Sequence, residues 1–153
     1  MKNIIYLFLI FLFLPVLNLF SQTTCNEQDV LEIDRIKQEI ETSLISATSR
    51  EIKLRTGEKL FVFYLNGNLI KLSVFDEENS VSAELFFKDG FIRHISEEIP
   101  DIETMASNRY YFKDDKLICF QDSMGKDCNN SDLYKAAEKL WLERINKYLH
   151  AIQ

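Results

Sequence analysis

Two histidines, three cysteines and several short acidic groups are the residues of this chain that could do chemistry. A histidine base needs a nucleophile or a carboxylate beside it. His94 falls at the end of an apolar row, where a core or edge histidine is expected rather than a catalyst. His150 falls in a last helical turn, where a partial positive charge suits the dipole. No Gly-x-Ser-x-Gly, His-Glu-x-x-His or phosphate-cradling glycine loop occurs in the sequence. The cysteine and histidine spacings match no zinc pattern. Asp122, Asp127 and Asp132 sit in a polar stretch whose spacing is not that of a calcium loop. Glu97 and Glu98 are adjacent on a strand end, so they point to opposite faces and read as solvated positions. No cofactor and no metal are expected, and the small enzyme that remains conceivable is one using His94 with a nearby carboxylate.

The chemistry that can be assigned is oxidative. Lys2 precedes an apolar run from Ile4 to Phe20, broken by Pro15 and followed by Ser21-Gln22-Thr23-Thr24. This is the layout of a secretory signal, with cleavage expected after Ser21. The sequence thus divides into a signal peptide at 1–21 and a single α+β domain at 22–153. The chain is expected to be secreted or periplasmic, with no stable membrane span once the signal is removed. The alternatives are an uncleaved membrane anchor and a lipid on Cys25. In an exporting cell one disulfide is expected from three cysteines. Cys119–Cys128 closes a short loop and is the preferred pairing; Cys25–Cys128 is the alternative weighed against it.

Charge narrows the partners. Without residues 1–21 the chain carries 17 basic residues against 24 acidic, a net of −7, which argues against nucleic acid, since phosphate neutralisation needs a basic face.

Behind these residues stand the elements that must position them. Val30, Ile33, Ile36, Ile40, Leu44 and Ala47 recur at three- and four-residue intervals, predicting a helix over 26–47 capped by Asn26. Leu133, Ala137, Leu140, Trp141, Tyr148 and Ile152 predict a second over 132–151, capped by Ser131. Between them, over 51–122, period-two segments alternate with turn signals. Gly57-Glu58, Asn66-Gly67 and Asp89-Gly90 suit two-residue hairpins, Asp76 to Asn79 a four-residue loop, and Asp114-Asp115 a last hairpin between Arg109–Lys113 and Lys116–Phe120. The fold class is therefore α+β: an antiparallel meander of about seven strands flanked by an N-terminal and a C-terminal amphipathic helix.

Ideal turns fix a register. Ile52 falls opposite Phe63, Leu54 opposite Phe61, Phe63 opposite Ile70, Phe61 opposite Leu72, Ile70 opposite Leu85 and Leu85 opposite His94. One face then carries Phe61, Phe63, Ile70, Leu72 and Leu85 as core. On the other face Lys71 lies opposite Glu84, and Tyr64, Leu69, Phe86 and Arg93 form one straight row.

That row is the candidate binding site of a non-enzymatic exported interaction module, which would present a mixed aromatic and charged sheet face to a protein or peptide. A second reading is a carrier. In it the curved sheet grips the C-terminal helix around a small apolar ligand, with Phe61, Phe63, Phe87, Trp141 and Tyr148 lining the cavity, and the helix–meander–helix order resembles helix-grip domains in architecture. The resemblance rests on element order and carries no residues over.

Overall fold

The computed structural model describes residues 25–78, 80–99, 106–129 and 132–153. The expected signal segment and the Ser131 cap lie outside these residues. Helix α1 spans Glu27–Ser43 and runs into a 3-10 turn, Leu44–Ser46. Asn26 caps it as the sequence implies: its Oδ1 accepts the N–H groups of Gln28 and Asp29 at 3.0 and 3.3 Å. Helix α2 spans Asp132–Ile152. Its buried stripe is Trp141, Ile145 and Tyr148. Leu133 and Leu140, expected on that stripe, are 67% and 45% exposed, because Ile145 continues the run from Trp141 at a spacing of four and turns both leucines outward.

Seven strands lie between the helices: β1 Thr48–Lys53, β2 Lys59–Leu65, β3 Asn68–Phe75, β4 Val81–Lys88, β5 Phe91–Ile99, β6 Ala106–Lys113 and β7 Lys116–Gln121. They pair antiparallel in sequence order as one meander sheet. The fold is α+β, with one helix before the sheet and one after it.

Asn66-Gly67, Asp89-Gly90 and Asp114-Asp115 all have positive φ, as type I′ turns require. Gly57 instead ends a wider turn. The Leu54 N–H donates to the Glu58 carbonyl and the Gly57 N–H to the Leu54 carbonyl, so Lys53 pairs with Lys59.

Beyond β1–β2, the registers differ from the ideal ones for one repeated reason. After each of the three type I′ turns the second strand pairs for two residues and then carries one extra residue. Ile70 is the extra residue between Leu69 and Lys71, Arg93 between Ile92 and His94, and Ile118 between Leu117 and Cys119. Ser82 plays the same part after the β3–β4 loop. Each such β-bulge shifts every later pair by one and sharpens the local twist. The bulges make Val62 meet Leu72 and Leu72 meet Leu85, while the wider Gly57 turn alone sets Ile52 opposite Leu60. Lys71 stands opposite Phe86 and reaches Glu84 diagonally, with Nζ 2.5 Å from Oε1.

The two faces follow. On one lie Leu60, Val62, Leu72, Val74, Leu85, Ile95, Tyr110 and Phe120, packed under Trp141, Ile145 and Tyr148 of α2. On the other, Ile36 and Ile40 of α1 cover Ile70 and Phe86, while Ile33 covers Tyr111 and Cys119. The sheet is thus sandwiched between the two helices. Polar ties run along α2: Glu138 accepts the Leu117 N–H at 3.1 Å, Arg144 meets Glu97 at 3.5 Å, and Lys147 meets Glu58 at 2.6 Å. Arg50 reaches the Ile152 carbonyl at the far end. Strand β1 is one edge of the sheet and is exposed along most of its length. The other edge, β7, is extended by a bridge from Gln121 to Asp127.

Candidate functional site

The four residues of the expected row do not share a face. Tyr64 and Leu69 are direct partners and pack against the α2-side core. Phe86 is fully buried under α1, with 0% exposure, between Lys71 and His94 in the ladder. Arg93 is the bulged residue of β5. The bulges at Ile70 and Arg93 break the row, so a flat face of Tyr64, Leu69, Phe86 and Arg93 is replaced by separate environments. The residues expected to line a carrier cavity divide as well. Phe87, Trp141 and Tyr148 fill the α2-side core, whereas Phe61 and Phe63 lie half-buried on the opposite face.

The buried polar and charged side chains among the described residues are Lys71, Ser73, His94 and Ser96, all on the α1 face. They form two adjacent ladder rows, one running Lys71, Phe86, His94, Tyr111 and the other Ser73, Glu84, Ser96, Arg109. His94 stands edge-on to Phe86 and Tyr111, with ring centres 5.7 and 5.0 Å away. Neither of its ring nitrogens has a hydrogen-bond partner. Burial, then the positive charges of Lys37 and Arg109, push its pKa down to about 3. A general base must reach the proton it takes; His94 is 1% exposed, and the nearby Glu84 is engaged by Lys71. Glu97 belongs to the other face, where it accepts the Tyr110 hydroxyl at 2.5 Å and pairs with Arg144. It is a tie between sheet and helix, not a solvated strand end.

Concavity is found beside α1 instead. A hollow of about 380 Å³ is lined by Ile36, Ile40, Leu65, Leu69 and Ile70 together with Glu39, Asn68, Lys88 and Asp89. A second hollow of about 150 Å³ adjoins it and reaches past Ile33 and Arg93 to Asp29, Glu32 and Lys113. Ile36, Lys88 and Asp89 line both. The two hollows lie along the same side of α1, the first mainly apolar over β2–β4 and the second charged over β5 and β6, and they form the candidate groove. Leu69 and Arg93 of the expected site lie on it; Tyr64 and Phe86 do not. Ile36 and Ile40 were legible only as helix core, and nothing in the alternation of β3 or β5 marks Ile70 or Arg93 as bulged.

The disulfide joins Cys25 to Cys119, with Cα atoms 5.1 Å apart. The preferred Cys119–Cys128 pairing fails on pleat geometry. The Cys128 N–H donates to the Phe120 carbonyl, so Cys128 lies alongside Phe120 and packs toward the α2-side core, while Cys119 points to α1. Asn129, one residue on, is the one that reaches the Cys25 sulfur, at 3.3 Å. Cys25, Cys119 and one carboxylate oxygen of Asp127 gather within 4.8 Å, yet the two sulfurs are bonded to each other. Asp127 accepts the Cys25 N–H and the Gln121 amide. Asp122 accepts the N–H groups of Met124 and Lys126, as a turn-forming aspartate does.

Among the described residues no helix is long and apolar enough to cross a membrane. Comparison with family models, with curated proteins and with solved structures finds no match to this chain, so its site is read from its own geometry.

Proposed function

We propose that this chain is an exported, non-enzymatic interaction module that seats an extended segment of a partner protein in the groove beside α1. The observation that carries the proposal is that an apolar hollow and a charged one adjoin along α1, with Ile36, Lys88 and Asp89 lining both. Asp29 and Ser43 mark the ends of the groove on α1; at 1.5 Å per residue this is about 21 Å, the length of roughly six extended residues. Export is supported by the apolar run from Ile4 to Phe20 and by the Cys25–Cys119 disulfide, which suits an oxidising compartment.

The test is fluorescence anisotropy of the full secreted chain against a positional-scanning library of labelled hexapeptides. Binding should select a large apolar residue at one position. Asn68→Trp, an exposed rim substitution that fills the apolar hollow, should abolish it while leaving the melting temperature in place. Equal binding by the variant would sink the groove reading. The carrier reading now rests on the same hollow, whose volume of about 380 Å³ falls in the range of small-molecule pockets. A labelled medium-chain fatty acid that binds while every hexapeptide fails would favour it.

A further inference from the structure

We infer that Arg93 is a receptor for an acidic side chain on the segment held beside α1, an inference that rests on the groove reading above. Arg93 is the extra residue of the β5 bulge, set between the pairs Phe87–Ile92 and Phe86–His94. Bulges re-aim a side chain that the ladder would otherwise fix, and this one brings the guanidinium into the charged half of the groove. The other cations there already hold carboxylates. Lys88 and Arg35 both meet Glu39, at 3.3 and 3.4 Å, and Lys113 meets Asp29 at 2.7 Å. Arg93 has no carboxylate within ion-pair distance among the described residues, and its buried Nε has no hydrogen-bond partner. Its guanidinium carbon lies 5.8 Å from the centre of the Phe91 ring, which helps to hold the group in place.

An arginine fork is shaped to take both oxygens of a carboxylate, and the two terminal Nη groups of Arg93 offer that fork to a segment in the groove. Sheet order places Arg93 in mid-groove: the apolar hollow lies over β2–β4, Arg93 is on β5 and Lys113 on β6. A segment passing over it is in mid-course there, so the carboxylate belongs to an aspartate or glutamate side chain rather than to a chain end.

The experiment uses the same labelled hexapeptides in two sets, one with amidated and one with free C-termini. The wild-type chain should prefer Asp or Glu over Asn or Gln at one interior position by about tenfold, the scale of a charge-assisted bidentate pair. Arg93→Gln should erase that preference while the apolar preference at the other position persists, and Arg93→Lys should restore part of it. No acidic preference, or one that survives Arg93→Gln, overturns the inference and leaves the groove standing. Preference only for peptides with a free C-terminus also overturns it. Loss of both preferences in the wild-type chain defeats the groove and this inference together.

Discussion

Lys71 and Phe86 stand directly opposite each other on β3 and β4, and the Lys71 ammonium lies 5.0 Å from the centre of the Phe86 ring. Lys37 approaches the same ring from α1 at 5.4 Å. The ring is closed off by Ile36 and Ile40, so this fully buried phenylalanine has two cations close to its ring. Phe86→Ala should therefore cost about 3–5 kcal/mol, the usual loss for a buried phenylalanine. Phe63→Ala removes a half-buried ring and should cost about 1–2 kcal/mol. Urea denaturation of the two variants checks the order, which is the reverse of what an ideal register implies. Equal losses would contradict the face assignment.

His94 makes stability depend on mild acid. Its folded pKa, about 3, lies below the 6.5 of an exposed histidine, so the unfolded chain takes up a proton that the folded chain refuses. Its contribution is intact above pH 6.5 and falls as pH drops toward 3. By pH 5 the loss should reach about 2 kcal/mol relative to pH 7.5. His94→Phe should flatten that part of the profile, measured by urea midpoints at the two pH values. Glu58, which burial pushes up but Lys147 and Thr56 hold down, ends below the ordinary carboxylate value and so acts at lower pH. An unchanged slope in the variant would mean that His94 is not the group responsible.

The Cys25–Cys119 bond spans a sequence separation of 94 residues and ties the residue before Asn26 to β7. Chain entropy alone assigns such a loop about 4–5 kcal/mol. Cys25→Ser with Cys119→Ser should lower stability by an amount of that order, and α1 should exchange its amide hydrogens faster than β3 or β4. A non-reduced digest should join the peptides containing Cys25 and Cys119. A Cys119–Cys128 linkage in that digest would overturn the pairing.

Gly57 has φ of +93°, and a Cβ there would come within 2.7 Å of Glu77 Oε1. Gly67 also has positive φ, yet a Cβ on it meets nothing within 4 Å. Gly67→Ala should cost about 1 kcal/mol from backbone strain, and Gly57→Ala about 1–2 kcal/mol. Adding Glu77→Ala to Gly57→Ala should recover part of the difference. Thermal melts of the three variants suffice, and no recovery would show that strain alone sets the cost.

The type I′ turns were legible because Asn66-Gly67 and Asp89-Gly90 are residues that tolerate positive φ, and both helices because their isoleucines and aromatics recur at helical spacing. The bulges were not. Ile70, Arg93 and Ile118 carry no local mark, since an extra residue in a strand can be of any type. A slip is normally betrayed by apolar residues turning to solvent. Here α1 covers one face and α2 the other, so Phe86 and Leu85, adjacent on β4, are both fully buried. Apolar residues on either face therefore look acceptable in either register. That is why the row through Tyr64, Leu69, Phe86 and Arg93 looked continuous. The groove was hidden for the same reason, since it exists only where α1 passes over bulged strands.

The exposed first strand bears on how copies of this chain behave in company. A bare strand edge invites the same strand of a second molecule to continue the sheet. Two antiparallel alignments overlap most of Thr48–Lys53. One sets Arg50 against its own copy, and the other sets Glu51 against its own copy; like charges directly opposite repel. The opposite edge already has the Asp127 bridge laid on it. Crowding this protein with itself should therefore yield separate molecules, while a foreign strand of suitable charge would still find the first edge open.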